Sequence, residues 1–247
     1  MAKEMSDKYE ILGILGRNRE KTKELANRFQ GKVYSTLDEV IEDSPDYIVE
    51  AACPSVVREM GIKILEKGIS LIPLSLGVFA DENFYRKAKR AALENNSRVH
   101  IPSGAVGGFD VLAGAMLMGD AEVSIESEKS PQSLDGAPYL QGRQLSREEE
   151  EEVFRGSARE AIKNFPNNVN IAVATALATS GVDETQVSIH SLPGKKGNKH
   201  KISLRGENIK VEIDIESLPS RDNPRSSQLA AYSVIALLQK LVDPIVI

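Results

Sequence analysis

The chain has 247 residues, 41% of them hydrophobic, with 31 basic against 36 acidic side chains and a net charge of -5. That balance gives no general attraction to nucleic acid or to an anionic membrane surface, so small-molecule partners are expected. One cysteine, Cys53, excludes an internal disulfide framework, the start MAKEMSDKYE lacks the apolar core of a signal peptide, and the run Ile69 to Leu76 is broken by Ser70, Pro73 and Ser75 well short of a membrane span. A soluble, cytoplasmic chain of two modest domains is the expectation.

In chain order, Tyr9 to Leu15 predicts a strand and Glu20 to Phe29 a helix. The alternation recurs as Tyr47–Ala51 then Val56–Lys67, as Ile69–Ile72 then Glu82–Asn95, and ends with Arg98–Ile101. Near-continuous apolar strands spaced by helices indicate a parallel sheet covered on both faces. After a small-residue turn, Ser103-Gly104-Ala105-Val106-Gly107-Gly108, the pattern predicts a helix over Phe109–Leu117 and a strand over Ala121–Ser127. Pro131 to Arg147 reads as a long surface loop, and the acidic run Glu148–Glu152 as a solvated stretch leading to a helix start. Ser157-Ala158-Arg159-Glu160 has capping-box spacing and opens a helix that Pro166 interrupts; Val169–Thr179 resumes it and stops at Gly181. Gln186–Leu192, His200–Leu204 and Lys210–Ile215 alternate as antiparallel strands with one wet face. Ser226–Leu241 predicts a helix whose stripe is Leu229, Tyr232, Val234, Ile235, Leu237 and Leu238.

The residues that could carry chemistry lie in the second half. Side chains alternate along a strand, so His200 shares an inward face with Ile202 and Leu204, while Lys199, Lys201 and Ser203 point away. An imidazole titrating near 6.5 can accept and return a proton; a core histidine satisfied by the backbone is the plain alternative. His190 falls on the polar side of its strand and His100 beside Pro102, where a structural hydrogen bond suits it. The glycines of the 103–108 turn let backbone approach a ligand, and the helix that follows offers unpaired N–H groups to an anion such as a carboxylate, with Ser103, Gly104 and Gly107 as substrate contacts. A strand-to-helix turn also collects glycine and serine for no functional reason. In Phe165-Pro166-Asn167-Asn168-Val169-Asn170, one asparagine caps the resumed helix and another amide is left for a ligand. Cys53, with no electropositive neighbour in sequence, reads as a buried thiol, and the histidines and cysteine show no metal-ligand spacing.

The blocks VHIPSGAVGGFD, FRGSAREAIKNFPNNVNIAVATALA, NKHKISLRG and LPSRDNPRSSQLAAYSVIALL, in this order, closely resemble the L-aspartate dehydrogenase family from about Gly13 onward. The resemblance implies a Rossmann-like parallel-sheet domain over residues 1–104, rejoined by a C-terminal helix at 225–247, and a smaller α/β domain with antiparallel strands at 105–224 carrying the active site and a homodimer contact. It implies oxidation of L-aspartate with NAD or NADP to iminoaspartate, which hydrolyses to oxaloacetate and ammonia or feeds pyridine-nucleotide synthesis. The catalytic histidine corresponds to His200, and the nicotinamide-side contacts to Ala105 and Asn170. Lys or Arg side chains should clamp the two carboxylates, and Lys199 and Lys201 face the wrong way for it.

One feature departs from the family. Ile11-Leu12-Gly13-Ile14-Leu15-Gly16-Arg17-Asn18 matches its second strand, so the first strand and its glycine-rich phosphate loop are expected to be missing. The start is then truncated or misassigned, or Tyr9–Leu15 has moved into the central slot. In the second-strand register Arg17 lies where a 2′-phosphate would sit, which points to NADP; a solvated arginine is the alternative. Two rival readings remain: a catalytically silent binding or regulatory subunit, and a related amino-acid or semialdehyde dehydrogenase.

Overall fold

The computed structural model describes residues 5–166, 170–218 and 227–245. The first half runs β1 (Gly13–Leu15), α1 (Arg19–Phe29), β2 (Lys32–Tyr34), α2 (Leu37–Glu42), β3 (Tyr47–Glu50), α3 (Pro54–Glu66), β4 (Ser70–Pro73) and α4 (Glu82–Glu94). β1 pairs with β2 and β3 with β4, all parallel, with Gly13 opposite Lys32 and Tyr47 opposite Ser70. β2 and α2 escaped the sequence pattern because β2 is three residues long and buries only Tyr34. The expected strand at 98–101 is reduced to a single bridge between Leu71 and Val99, since Pro102 follows at once and has no N–H to extend the ladder.

β1 pairs with no strand but β2 among the described residues, so Tyr9–Leu15 has not moved into the central slot between the two parallel pairs. Close approach to β2 holds it there: a Cβ on Gly13 would meet the Tyr34 ring at 2.4 Å and Lys32 O at 2.6 Å. In α3, Pro54 occupies the first turn, where its missing N–H costs nothing, and the stripe Val57, Gly61, Ile64 and Leu65 is buried against the parallel strands.

The second half runs α5 (Phe109–Met116), β5 (Ala121–Lys129), α6 (Pro131–Leu134), β6 (Glu151–Ser157), α7 (Ala158–Asn164), α8 (Asn170–Ala178), β7 (Gln186–Ser191), β8 (Asn198–Gly206) and β9 (Lys210–Ser217), with sheet order β6-β7-β5-β8-β9. Three expectations are corrected. The acidic run leads into strand β6 rather than a helix, because Val153 and Phe154 are buried, Phe154 packing edge-on against Phe165 with ring centroids 5.5 Å apart. The 131–147 segment buries Leu134, Leu140 and Leu145, so it is a packed connection rather than a surface loop. Finally, β7 is not a neighbour of β8: β5 lies between them, parallel to β7 and antiparallel to β8. The capping box at Ser157 and Glu160 forms as expected.

α9 (Gln228–Val242) returns to the first half, where Val234 and Leu238 form a buried cluster with Met5 and Ile72 of β4. The Tyr9 hydroxyl donates to Leu238 O at 2.8 Å. Its buried stripe is narrower than the sequence suggested, with Leu229 and Tyr232 exposed.

Candidate active site

On the inner face of the five-stranded sheet, β5 presents Val123, Ile125, Ser127 and Lys129, and β8 presents Leu204, Ile202, His200 and Asn198. At one end the face is aliphatic and packs in the main core. At the other it turns polar. Ser127 stands opposite His200, and its hydroxyl lies 2.9 Å from His200 Nδ1. One step further, roughly 6.6 Å along each strand, Lys129 Nζ donates to Asn198 Oδ1 at 3.1 Å. On the other side of β5, Ser191 is paired with Lys129 in register, and its fully buried hydroxyl has no hydrogen-bond partner among the described residues.

His200 is 4% exposed and faces inward as alternation required. Its titration does not match the sequence expectation of a group poised near neutrality. Burial, and secondarily the charge of Lys129, push the imidazole down to about 3, so it is neutral over the physiological range. Burial likewise pushes the Lys129 ammonium down to about 8. Lys199 and Lys201 lie on the outer face in a ladder with Asp214, Glu128 and Glu212. Two open hollows among the described residues are on that outer face too, lined by residues such as Ser124, Gln186 and Ser203, and neither includes an expected site residue.

The 103–108 turn packs on the inner face through Val106 and Gly108. Gly108, at φ +75°, sits so close to β9 that a Cβ would lie 2.7 Å from Ile213 Cδ1, and Ile213 is two residues from Ile215, the partner of His200. A Cβ on Gly104 or Gly107 would meet nothing within 4 Å, so this backbone faces open space that a ligand can approach. The Ser233 hydroxyl of α9 holds the turn by accepting from Gly104 N–H at 3.0 Å. Ser103 and Ala105 are half-buried in the same turn.

Asn170 begins α8, and its Oδ1 accepts from Leu76 N–H at 3.2 Å, tying α8 to the loop after β4. Its amide carbonyl is therefore committed to the protein. That loop is fixed from below by Glu50, a buried carboxylate at the end of β3 that accepts from Ala52 N–H, Ser75 N–H and Ser75 Oγ at 2.6, 3.0 and 2.9 Å. The proposed capping asparagines Asn167 and Asn168, and residues 219–226 of the LPSRDNPRSSQ block, lie outside the described residues.

Arg17 is exposed after β1. It lies beside Cys53, whose thiol is held below its usual range by hydrogen bonds from Ser55 and Val56 and, more weakly, by the Arg17 charge. Cys53 is thus a half-exposed helix N-cap rather than a buried thiol, and its electropositive neighbour is 36 residues away in sequence, invisible to local inspection. His190 faces the outer side near Glu152, and the His100 ring packs 5.9 Å from Tyr47.

Sequence reasoning missed Ser127, Lys129, Asn198, Ser191 and Glu50. A signal existed for three of them, since Asn198 shares the parity of His200, and Ser127 and Lys129 continue the Val123, Ile125 face. Which strand meets which is a contact across 73 residues and has no local signature.

Residues 1–102 match the NAD-binding domain of homoserine dehydrogenase, and residues 110–241 match the aspartate dehydrogenase C-terminal domain. Among the described residues, the Asn170 NH2 and the Arg17 guanidinium have no hydrogen-bond or ion-pair partner. Fold and site together define an NAD(P)-dependent oxidoreductase. The chain is 36% identical over 213 residues to the L-aspartate dehydrogenase of Methanosarcina barkeri, covering 85% of this chain and 78% of that one. It is 35% identical over 245 residues to that of Methanococcus maripaludis strain C5, covering 98% and 91%. The crystal structure of aspartate dehydrogenase from Thermotoga maritima superimposes with a TM-score of 0.73 at 28% identity, over 97% of this chain and 99% of that one. A hyperthermophilic archaeal homoserine dehydrogenase in complex with NADPH shares the fold, with a TM-score of 0.57 at 15% identity over 98% and 94%. The chain belongs to the aspartate dehydrogenase family.

Proposed function

We propose that this protein oxidises L-aspartate with NAD or NADP, and that His200 is its proton-transfer residue. The observation that carries the reading is the polar end of the inner sheet face, where Ser127 orients a buried neutral imidazole, in a chain of this family whose glycine turn rests on the neighbouring strand β9. The substrate ammonium must lose a proton before its nitrogen can push electrons toward the α-carbon. An unprotonated imidazole nitrogen accepts that proton, and the substrate's two carboxylates beside it raise the imidazole's pKa toward neutrality. A bound nicotinamide, held by the 103–108 backbone and the Asn170 amide, would supply the acceptor for the α-hydrogen as hydride, and loss of that hydride with the nitrogen proton leaves iminoaspartate. Water adds to the imine carbon and ammonia leaves, giving oxaloacetate.

In this reading the 103–108 backbone, with Ser103, Gly104, Ala105 and Gly107, and the Asn170 amide hold the substrate and the nicotinamide side together, and Arg17 receives a 2′-phosphate. Residues 1–104 with α9 form the nucleotide-binding unit and 105–224 the catalytic one, in a cytoplasmic homodimer whose product enters pyridine-nucleotide synthesis. Among the described residues no helix is long and apolar enough to cross a membrane.

His200→Ala is expected to lower kcat by roughly two to four orders of magnitude while leaving NADH and NADPH affinity, read by fluorescence titration, unchanged. Full turnover in that variant would remove the role. A wild type without saturable nucleotide binding would instead support a silent subunit.

A further inference from the structure

Lys129 presents a physical problem. Its side chain is 6% exposed, it sits at the end of an aliphatic sheet face, and among the described residues it has one neutral acceptor, Asn198 Oδ1, and no ion-pair partner. A buried ammonium without a counter-charge is costly, and proteins retain such groups where a ligand supplies the missing anion. A second observation points the same way. Ser191, opposite Lys129 on β7, is fully buried and its hydroxyl bonds to nothing among the described residues, although a buried hydroxyl normally finds a partner. Both lie one residue pair beyond Ser127 and His200 on the same face.

We propose that Lys129 is the substrate-carboxylate anchor, pairing with one carboxylate of a four-carbon diacid while the Ser191 hydroxyl donates to the same group. Asn198 holds the ammonium in place from the side and, being neutral, does not compete for the charge. This makes Lys129 a specificity-determining residue that separates dicarboxylic from monocarboxylic amino acids, and it rests on the aspartate-oxidising reading above. The residues that clamp the substrate, unassignable from sequence, thus come from the same sheet face as the proton-transfer histidine.

The test is steady-state kinetics with L-aspartate and NAD(P)+ on Lys129→Met and Asn198→Asp. Methionine keeps the length and removes the charge; aspartate at 198 gives Lys129 an internal counter-ion that displaces the substrate's. Both variants are expected to raise the aspartate KM at least roughly tenfold, with NADPH affinity unchanged. Lys129→Met should also raise the Tm of the unliganded protein, which a merely structural lysine would not do. If both variants fold and keep the wild-type KM, the proposal is overturned; if Lys129→Met does not fold, Asn198→Asp decides alone. A wild type that does not turn over aspartate sinks the functional reading separately. Thermal stabilisation by succinate then decides: stabilisation lost in Lys129→Met, or in Asn198→Asp if methionine prevents folding, supports the anchor, and no stabilisation of the wild type overturns it.

Discussion

His200 shows how far an environment can move one group. Water solvates an imidazolium well; the interior of this sheet does not, and Lys129 adds a like charge, so the proton that binds near 6.5 in an unfolded chain binds at about 3 in the folded one. The unfolded chain therefore holds more protons than the folded chain between those values. Stability is full above about 6.5 and falls as pH drops through the window, by up to about 1.4 kcal/mol per pH unit from this group. In urea titrations from pH 7 to pH 4, His200→Gln is expected to lose less stability than the wild type; equal losses would show that the imidazole is not desolvated.

At the scale of elements, the site depends on a turn pressed against a strand. Gly108 supplies the left-handed conformation that starts α5, and its missing side chain lets the turn rest on Ile213. Gly108→Ala adds strain at φ +75° and a methyl 2.7 Å from Ile213 Cδ1, so it is expected to destabilise by roughly 1–3 kcal/mol in urea unfolding and to lower kcat as the turn lifts. Unchanged stability would mean that the turn does not bear on β9. The elements were legible where burial repeats with a clear period, as along α4, β8 and β9, although β8 runs two residues further at each end than the pattern indicated. They were not where a charged run covers a half-buried strand, as in β6, or where a strand is three residues long, as in β2.

For the whole molecule, the decisive connections join distant parts of the chain. α9 packs on Ile72 through Val234 and Leu238, Ser233 holds the glycine turn, Asn170 holds the loop after β4, and Arg159 donates to Ala80 O at 3.2 Å. Leu238→Ala should cost about 2–5 kcal/mol, because it empties a buried site, whereas Leu229→Ala on the exposed side of the same helix should stay within about 0.5 kcal/mol. Chemical denaturation of the two variants checks the contrast, and equal effects would show that α9 is not docked.

Most of the order of strands and helices, the inward face of His200, the open glycine turn and the family were set by local pattern, because side-chain periodicity and turn chemistry act over a few residues. The partner of His200, the burial of Lys129 beside it, the meeting of Arg17 with Cys53 and the position of β5 between β7 and β8 were decided only by the tertiary structure. Each of these is a pairing between segments far apart in the chain, and both the electrostatic environment of a side chain and the neighbours of a strand arise from such pairings rather than from the residues on either side.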